Sequence, residues 1–498
     1  MRKVMKAQMR LGEVDVSNVR IDPKSRDDIP RVLMGIKAVY ADPPARRELF
    51  DVLMKAVPEG VDAGNGRPGM DLWQIFVLAA VRLGCDMDYD RLHSMANSHK
   101  EIRRMMGLSW WEEDDVQFNL RTIKENVSLL TPEVLDRINE IIVKSGHRLL
   151  GKKKEADELR VKTDSFPVKT DVHYPTDVNL LFDAARKTIE LTMDLSALGG
   201  AGGWRQGARL IAKLKKGLRR IENFKKAAAK SEKKKANREK QLKKRCRAYL
   251  EDAMRIVERA EETLAGLSAE ARLENELIIG EIEGYIAHAR RQADQTRRRV
   301  FAGEKIPHAE KVFSIFEPHT EMIIKGKAGV EFELGLNVCV VKDQHGFTLH
   351  HRVMEHETDD QVAVAVLEEA KKKFPGINAA SFDRGFYAPE NKEKLSRMVD
   401  KLCMPRKGRP APEESEAGFI AARRAHSAVE SAINELEHRG LDLCPDSGPD
   451  GFKRYVALAV VAGNLHTLGS LFFKKENKRR RRIKRYNATR NANRRNTA

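Results

Sequence analysis

The stretch that decides the fold is residues 332–354, FELGLNVCVVKDQHGFTLHHRVM. Its first half alternates apolar and polar side chains up to Val340, which is the period of a half-buried β-strand. The segment DQHG at residues 343–346 is a turn signal, and a second β-favouring run continues to Met354. The pattern predicts two strands joined by a tight turn.

Helices and strands alternate downstream of this hairpin. The elements that we expect, in order, are a helix over 359–373, a strand over 379–383, a helix from Pro389, a strand over 401–404 and a helix over 417–437. Pro375 and Gly376 end the first of these helices, and Gly440 ends the last. The order is that of an α/β domain.

A further strand precedes the hairpin, far upstream in the chain. The β-favouring residues Val161 and Phe166 flank Asp164. Residues 199–303, in contrast, begin with GGAGG and continue in three segments of helical periodicity with a lysine-rich face. The complete order is therefore β-β-β-α-β-α-β-α, with a large helical insertion between the first two strands.

The pattern divides the chain into five parts. Residues 70–147 have the apolar spacing of helices and form an all-helical N-terminal domain. The other parts are a loosely structured lead-in at 1–69, the α/β domain at 155–198 and 304–473, the helical insertion at 199–303 and a basic disordered tail at 474–498.

The composition restricts the class of partner. The chain has 498 residues with 92 Lys and Arg against 73 Asp and Glu, a net charge of +19, which favours a polyanion such as nucleic acid or an anionic membrane surface. We see no uninterrupted apolar stretch near the roughly 20 residues of a membrane helix and no signal segment, and therefore expect a cytoplasmic location. The five cysteines have no CxxC spacing, so neither a zinc module nor a disulfide framework is indicated.

Three acidic residues lie where this element order brings strand ends together. The first and fourth strands end side by side in this order, and the last helix packs across them. Asp164 is on the first strand, Asp383 ends the fourth, and Glu430 is on the last helix. Three carboxylates can hold two Mg²⁺ ions, because hard cations prefer oxygen ligands. One ion would activate a water or 3′-hydroxyl, and the other would stabilise the leaving oxygen.

Each acid also has an ordinary structural interpretation. Asp164 by itself is typical of a capping or solvated residue, and Glu430 of a surface salt bridge. Asp383 is better supported, because the sharp turn that follows its strand leaves the carboxylate exposed. Glu430 has two rivals on its helix: Glu435 lies away from the apolar stripe, and Glu437 falls in the last turn, so we prefer Glu430.

The sequence resembles the DDE transposases of bacterial insertion sequences over most of the chain. The motifs that carry the resemblance are VKTDS at 161–165 with NLL at 179–181, DRGFY at 383–387, PRKG at 405–408, HSAVES at 426–431, and a block between Ile306 and Lys327. They resemble, in turn, the family's first-aspartate region, its second-aspartate motif, the basic turn after that motif and the final-glutamate helix. The last block resembles a segment found in one branch of the family. Residues 70–145 are similar to the family's helical amino-terminal domain.

The resemblance implies an RNase H-like catalytic domain that cuts DNA at element ends and joins it to target DNA. Asp164, Asp383 and Glu430 would be the catalytic residues and the metal ligands, with two Mg²⁺ ions as cofactor and Mn²⁺ as a substitute. The expected partner is double-stranded DNA, namely terminal inverted repeats and target, bound by a nucleoid-associated homo-oligomer without a membrane. The expected DNA-binding residues are Arg384, Arg406, Lys407, Arg423, Arg424, Arg479, Arg480, Arg481 and Arg482.

The chain departs from the family in two respects. Many relatives have an arginine one turn before the glutamate and a lysine two turns after it, where this chain has His426 and Glu437, although Arg423 and Arg424 could substitute. The insertion lies between the first two acids, whereas better-known relatives carry theirs between the last two.

Two other functions stay open: an inactivated transposon descendant that only binds DNA, and a nuclease that cuts without joining. Inverted repeats flanking the coding sequence would favour transposition.

Overall fold

The computed structural model describes residues 3–5, 15–57, 69–108, 116–150, 158–198, 202–226, 232–327 and 330–496. These residues form a mixed α/β protein that divides into two compact units. The first unit consists of residues 1–171 and 321–498, and the second of residues 172–320.

Helices occupy most of the N-terminal part of the first unit. They are α1 (Asp28–Ala41), α2 (Pro43–Met54), α3 (Leu72–Gly84), α4 (Tyr89–Ser98), α5 (Lys100–Met105), α6 (Leu120–Val127) and α7 (Pro132–Leu150). The prediction of a loose lead-in at 1–69 is wrong for α1 and α2. Val32, Ile36 and Val39 follow helical spacing in α1 and are fully buried, and the Asp27 carboxylate accepts the Ile29 N–H at the helix start.

The second unit is helical and has its own apolar core. Its helices are α8 (Asp177–Ala197), α9 (Gly207–Lys226), α10 (Glu232–Ala265), α11 (Ala269–Glu274) and α12 (Glu276–Val300). The predicted insertion limits, 199–303, are too narrow, because α8 buries Leu181, Ala184 and Ile189 in the core that it shares with α9, α10 and α12. Residues 199–201 of the glycine-rich stretch lie outside the described residues.

One mixed sheet crosses the first unit. Its strands, within the described residues, are β1 (Leu159–Thr170), β2 (Glu321–Lys327), β3 (Val330–Asp343), β4 (Thr348–Met354), β5 (Ile377–Phe382), β6 (Lys401–Cys403) and β7 (Leu443–Cys444). β1 is central, with β3 antiparallel on one side and β5 parallel on the other. β2 and β4 pair with the two ends of β3, β6 extends the sheet beyond β5, and β7 pairs with the end of β1. β2 is a strand that the sequence pattern did not predict.

The helices that follow the sheet strands complete the first unit. They are α13 (Asp359–Lys373), α14 (Pro389–Met398), α15 (Ala417–His426), α16 (Ala428–Leu436) and α17 (Gly448–Asn496). The helix predicted over 417–437 is therefore divided at Ser427. Gly440 lies in the turn after α16 with a φ of 91°, which agrees with its expected place at a helix end.

α17 passes through the core of the first unit. Part of it, between Gly448 and Tyr486, is long and apolar enough to cross a membrane by length and composition, contrary to our expectation of no such stretch. However, 78% of its apolar stretch of 18 residues is buried inside the fold. Its polar residues have buried partners: the Asn464 amide donates to Asn139 Oδ1 at 2.6 Å, and His466 Nε2 lies 3.0 Å from Asp28 Oδ1. These are the properties of a core helix.

The basic tail differs from the prediction as well. We expected residues 474–498 to be disordered because of their charge run, but α17 continues through Asn496. A helix that is already formed by its buried part extends at little cost, since nucleation is the expensive step. The side chains of Arg479 to Arg482 are exposed on this extension.

Candidate active site

The sheet register places Asp164 and Asp383 beside each other. β1 and β5 are parallel, and Thr163 lies opposite Phe382, the last residue of β5. The next residues are Asp164 and Asp383, on backbones separated by about 4.8 Å. Asp383 still has an extended backbone, with a φ of −74° and a ψ of 165°, and then the chain turns. The two carboxylates therefore occur at one edge of the sheet.

The edge of β1 is open at this point. β5 pairs with β1 up to Thr163, and β7 pairs with it only from Lys169 onward. α16 packs against β1 and buries Val429, Ala432 and Leu436. The register gap leaves room for a cavity beside Asp164.

Glu430 lines this cavity together with both aspartates. The cavity has a volume of about 500 Å³. Its lining residues are Asp164, Phe382, Asp383, Arg384, Cys403, Pro405, Arg423, His426, Ser427, Val429 and Glu430. We call it the acidic cavity. All three acids predicted from the sequence thus line one cavity.

The environment of Asp164 disfavours its charged form. Burial raises the pKa of Asp164 to about 7, and the neighbouring charges of Asp383, Asp359 and Glu430 act in the same direction. The Ser165 backbone N–H, which donates to Asp164 Oδ1 at 2.8 Å, opposes this rise only in part. Burial, with a smaller contribution from neighbouring carboxylates, therefore distinguishes Asp164 from an ordinary exposed aspartate.

Asp359 is a fourth carboxylate next to this group, and sequence reasoning missed it. It is the first residue of α13, where Thr358 and Gln361 form a capping box. Ser165 Oγ donates to Asp359 Oδ1 at 2.6 Å, and a Cβ on Gly385 would lie only 2.6 Å from Asp359 Oδ2. Gly385 thus admits the carboxylate next to the turn after Asp383. Burial raises the pKa of Asp359, and the charge of Asp383 adds to this rise.

His426 is a second group that the sequence analysis considered only as a departure from the family. Its Nδ1 lies 2.9 Å from Ser381 Oγ, whereas its Nε2 is buried and has no hydrogen-bond partner among the described residues. Burial lowers the pKa of His426, although the charge of Asp383 opposes this shift. His426 lines the acidic cavity one helical turn before Glu430.

The two rival glutamates lie elsewhere. Glu435 Oε2 is 3.0 Å from Lys342 Nζ, and Glu435 Oε1 is 3.6 Å from His466 Nδ1. Burial by itself would raise the pKa of Glu435, but His466 and Lys342 outweigh it and lower the pKa to about 2. Glu437 belongs to the turn after α16 and does not line the acidic cavity. Glu435 is therefore engaged in an ion-pair network away from the site.

The predicted DNA-binding residues fall into two places. Arg384 and Arg423 are exposed and line the acidic cavity. Arg406, Lys407 and Arg424 are exposed but do not line it, although the charge of Lys407 is felt at Asp359. The residues from Arg479 to Arg482 lie on the C-terminal half of α17.

The acidic cavity offers the types of ligand that a divalent cation binds, but its carboxylates are not arranged as a preformed metal site. No three His, Cys, Asp or Glu side chains in the described part of the chain lie close enough to hold a metal ion as they stand. The donor set nevertheless consists of the oxygen ligands that Mg²⁺ prefers, and the charges of Asp383 and Glu430 contribute to the raised pKa of Asp164. Binding would require the carboxylates to turn toward one another.

Comparison with known proteins adds no further constraint. No protein family model, curated protein or solved structure matches the chain.

Proposed function

We propose that this protein is a DNA transposase of the acidic-triad class, which cuts DNA at element ends and joins it to target DNA. The observation that carries the proposal is the convergence of Asp164, Asp383 and Glu430 on one cavity, from positions far apart in the chain. The resemblance of the motifs around these residues to DDE transposases points to the same three residues.

The proposal includes an RNase H-like fold for the sheet and its helices. In that element order the first and fourth strands end side by side and the last helix packs across them. The parallel pairing of β1 with β5 and the packing of α16 on β1 are consistent with this arrangement. β2 and the helical second unit are additions to the basic order.

The residues of the acidic cavity would have different roles in phosphoryl transfer. Asp164, Asp383 and Glu430 would hold two divalent cations, Mg²⁺ with Mn²⁺ as a substitute, which lower the pKa of the attacking hydroxyl and stabilise the leaving oxygen. Arg384 and Arg423 would position DNA phosphates at the cavity mouth. Ser165 would hold the Asp359 carboxylate close to Asp164. No covalent enzyme intermediate is required.

The proposed partners follow from the charge and the reaction. A net charge of +19 suits binding to double-stranded DNA, both the terminal inverted repeats and the target. Joining two ends requires two active sites, so we propose a homo-oligomer assembled on DNA and associated with the nucleoid. Arg406, Lys407 and Arg424 would contact phosphates outside the cavity.

The test uses a plasmid that carries the coding sequence with its flanking DNA. Purified protein in Mg²⁺ should nick or cut at the inverted repeats and join the freed 3′-ends to a second plasmid. Asp383→Asn should abolish both steps and keep DNA binding, because the amide retains the shape but loses the metal-holding charge. Ca²⁺ should support binding with little cleavage.

The outcomes separate the proposal from its rivals. Cutting without joining would indicate a nuclease. Binding to the ends without any cutting, in the wild type as in Asp383→Asn, would indicate an inactive DNA-binding descendant. Cleavage by Asp383→Asn at the wild-type rate would show that the site is assigned incorrectly.

A further inference from the structure

A second cavity lies in the first unit, between the segment before α1 and the C-terminal half of α17. Its volume is about 900 Å³. Its lining residues are Pro23, Lys24, Ser25, Arg26, Arg31, His466, Ser470, Phe473, Lys474, Asn477, Arg480, Arg481, Ile483 and Lys484. We call this cavity the basic cleft. One wall comes from residues 23–31 and the other from one face of α17.

The basic cleft carries cations on both walls and no carboxylate in its lining. Arg31 is paired with Asp28 at 3.3 Å, and Arg480 with Glu476 at 3.1 Å. The other cations have no ion pair with any described residue; they are Lys24, Arg26, Lys474, Arg481 and Lys484. Unpaired cations facing each other across a concave surface repel one another unless an anion lies between them.

The floor of the basic cleft is fixed by the packing of α1 on α17. A Cβ on Gly35 would lie 2.0 Å from the Leu465 carbonyl oxygen, and one on Gly469 would lie 1.8 Å from that of Arg31. Only glycine therefore allows the two backbones to approach this closely. The Asp28 carboxylate, 3.0 Å from Arg439 Nη1 and 3.0 Å from His466 Nε2, ties α1 to α17 at the same level. These contacts hold the inner ends of the two walls against each other.

The helical wall has the length and spacing of a phosphate track. Asn477, Arg481 and Lys484 recur at intervals of four and three residues and so share one face of α17. From Lys474 to Lys484 the helix rises about 15 Å. With α17 parallel to the DNA axis, this length corresponds to roughly four phosphates of one strand, which rise about 3.4 Å each along that axis.

We propose that the basic cleft binds the sugar–phosphate backbone of double-stranded DNA, with Lys24 and Arg26 on one wall and Arg481 and Lys484 on the other. The inference rests on the proposed function for its choice of polyanion. A DNA backbone is a narrow ridge that can enter a concave cleft, whereas the surface of a bilayer is too flat to contact both walls. The cleft would thus make the segment before α1 a DNA-binding element together with the basic helix.

The test measures the affinity of the full-length protein for a labelled duplex of arbitrary sequence over a range of salt concentrations. One variant removes the first wall (Lys24→Ala with Arg26→Ala), and a second removes the helical wall (Arg481→Ala with Lys484→Ala). Each pair should weaken binding roughly tenfold or more near physiological salt and reduce the salt slope by about 2, because each phosphate contact contributes about 0.9.

Matched controls remove the same charge from nearby exposed positions outside the cleft. Lys475→Ala with Lys478→Ala changes the same helix away from the cleft lining, and Arg20→Ala with Arg47→Ala changes the N-terminal region. Both control pairs should bind within about twofold of the wild type, since side chains outside the cleft would make no phosphate contact and release no counterion. All four variants should keep the wild-type melting temperature, because the substituted side chains are exposed.

Three outcomes would overturn the inference. Equal losses of DNA affinity in the cleft and control pairs would mean that DNA binds to diffuse positive charge. Unchanged affinity in both cleft pairs would mean that the cleft does not bind DNA. A third outcome is that the wild type binds vesicles containing anionic phospholipid, whereas the cleft pairs lose vesicle binding but keep the wild-type affinity for DNA. The ligand of the cleft would then be a membrane surface. The proposed function can fail separately: a wild type that never cuts DNA but binds it through the cleft would retain this inference alone.

Discussion

At the scale of single residues, Glu430 and its neighbours on α16 differ in what surrounds them. Glu430 is exposed to the acidic cavity, whereas Glu435 is paired with Lys342 and His466. A carboxylate that is committed to an ion pair cannot also serve a metal without leaving its cation buried and unpaired. Glu437 lies in the irregular turn beyond the helix.

We therefore expect Glu430→Gln to eliminate DNA cleavage and Glu437→Gln to reduce it modestly or not at all. The loss should be at least 100-fold for Glu430, as for removal of a group that stabilises charge in the transition state. The two purified variants are compared on one labelled DNA end in Mg²⁺. An inactive Glu437 variant beside an active Glu430 variant would reverse the assignment.

Asp164 gives a prediction for the dependence of stability on pH. Its pKa is about 7 in the folded protein against 3.8 for the ordinary carboxyl group, so the folded state binds the proton more tightly. Its contribution to the free energy of unfolding is thus complete below about pH 4 and is lost as the pH rises through 7. Asp164→Asn removes this loss, so its stability advantage over the wild type should grow by about 3 kcal/mol from pH 5 to pH 8.

The measurement is urea unfolding of both proteins in EDTA at the two pH values. Asp51→Asn, an exposed carboxylate on α2, serves as the control and should show no such difference. Mg²⁺ at pH 8 should stabilise the wild type but not Asp164→Asn, since the cation needs the deprotonated carboxylate. A difference between Asp164→Asn and the wild type that does not change with pH would contradict the raised pKa.

The three acids could be predicted as a set from the sequence because each is marked locally, by a β-favouring run, a sharp turn or an apolar helix stripe, and because the motifs around them resemble those of one family. Asp359 and His426 have no such mark. Asp359 meets Ser165 across 194 positions in the chain, and His426 meets Ser381 across 45. Such contacts depend on the register of strands and helices, which a local pattern does not specify.

At the scale of elements, α16 is held against the sheet by an ion-pair network as well as by its apolar face. Lys342 on β3 has a side chain that is only 10% exposed, and it depends on Glu435 for a counter-charge. His466 connects the same carboxylate to α17 and to Asp28. The network therefore adds to the apolar contacts that hold α16, the helix that carries Glu430.

Glu435→Gln should destabilise the protein by roughly 1–3 kcal/mol, because it leaves the buried Lys342 ammonium without its counter-charge. Adding Lys342→Met should recover part of this loss. Unfolding in urea measures both effects. DNA cleavage by Glu435→Gln should persist below its melting temperature, unlike that by Glu430→Gln; complete loss in the folded variant would instead make Glu435 part of the active site.

The elements that the sequence predicted incorrectly have a common physical origin. The charge run after Lys474 favours disorder in isolation, and α17 is helical there because its buried part has already nucleated the helix. β2 has an adjacent apolar pair, Ile323-Ile324, instead of an alternating pattern, and it forms by pairing with β3. Both structures depend on a partner that lies elsewhere in the chain.

At the scale of the whole molecule, the second unit is a segment of the chain inserted between two strands, β1 and β2, of the first unit. The register gives the separation of its ends: Lys169 on β1 and Glu321 on β2 both pair with Gly335 on β3. Two strand spacings separate Lys169 from Glu321, about 10 Å. The apolar cores of the two units are distinct sets of side chains. The chain thus leaves and re-enters the first unit at neighbouring points.

This geometry predicts that residues 172–320 can be replaced by a linker of about five Gly and Ser residues, which reaches about 17 Å when extended. The shortened protein should unfold in one cooperative transition and show a near-ultraviolet circular dichroism signal from the aromatic side chains of its own core, because no side chain of the first core is removed. A matched deletion of residues 199–303 should behave differently. It retains α8 but removes its partners α9, α10 and α12, which exposes Leu181, Ala184 and Ile189. We expect this second protein to aggregate. If the 172–320 deletion aggregates and the 199–303 deletion is monodisperse in size-exclusion chromatography, then α8 belongs to the first unit and the boundary inferred from the two cores is wrong.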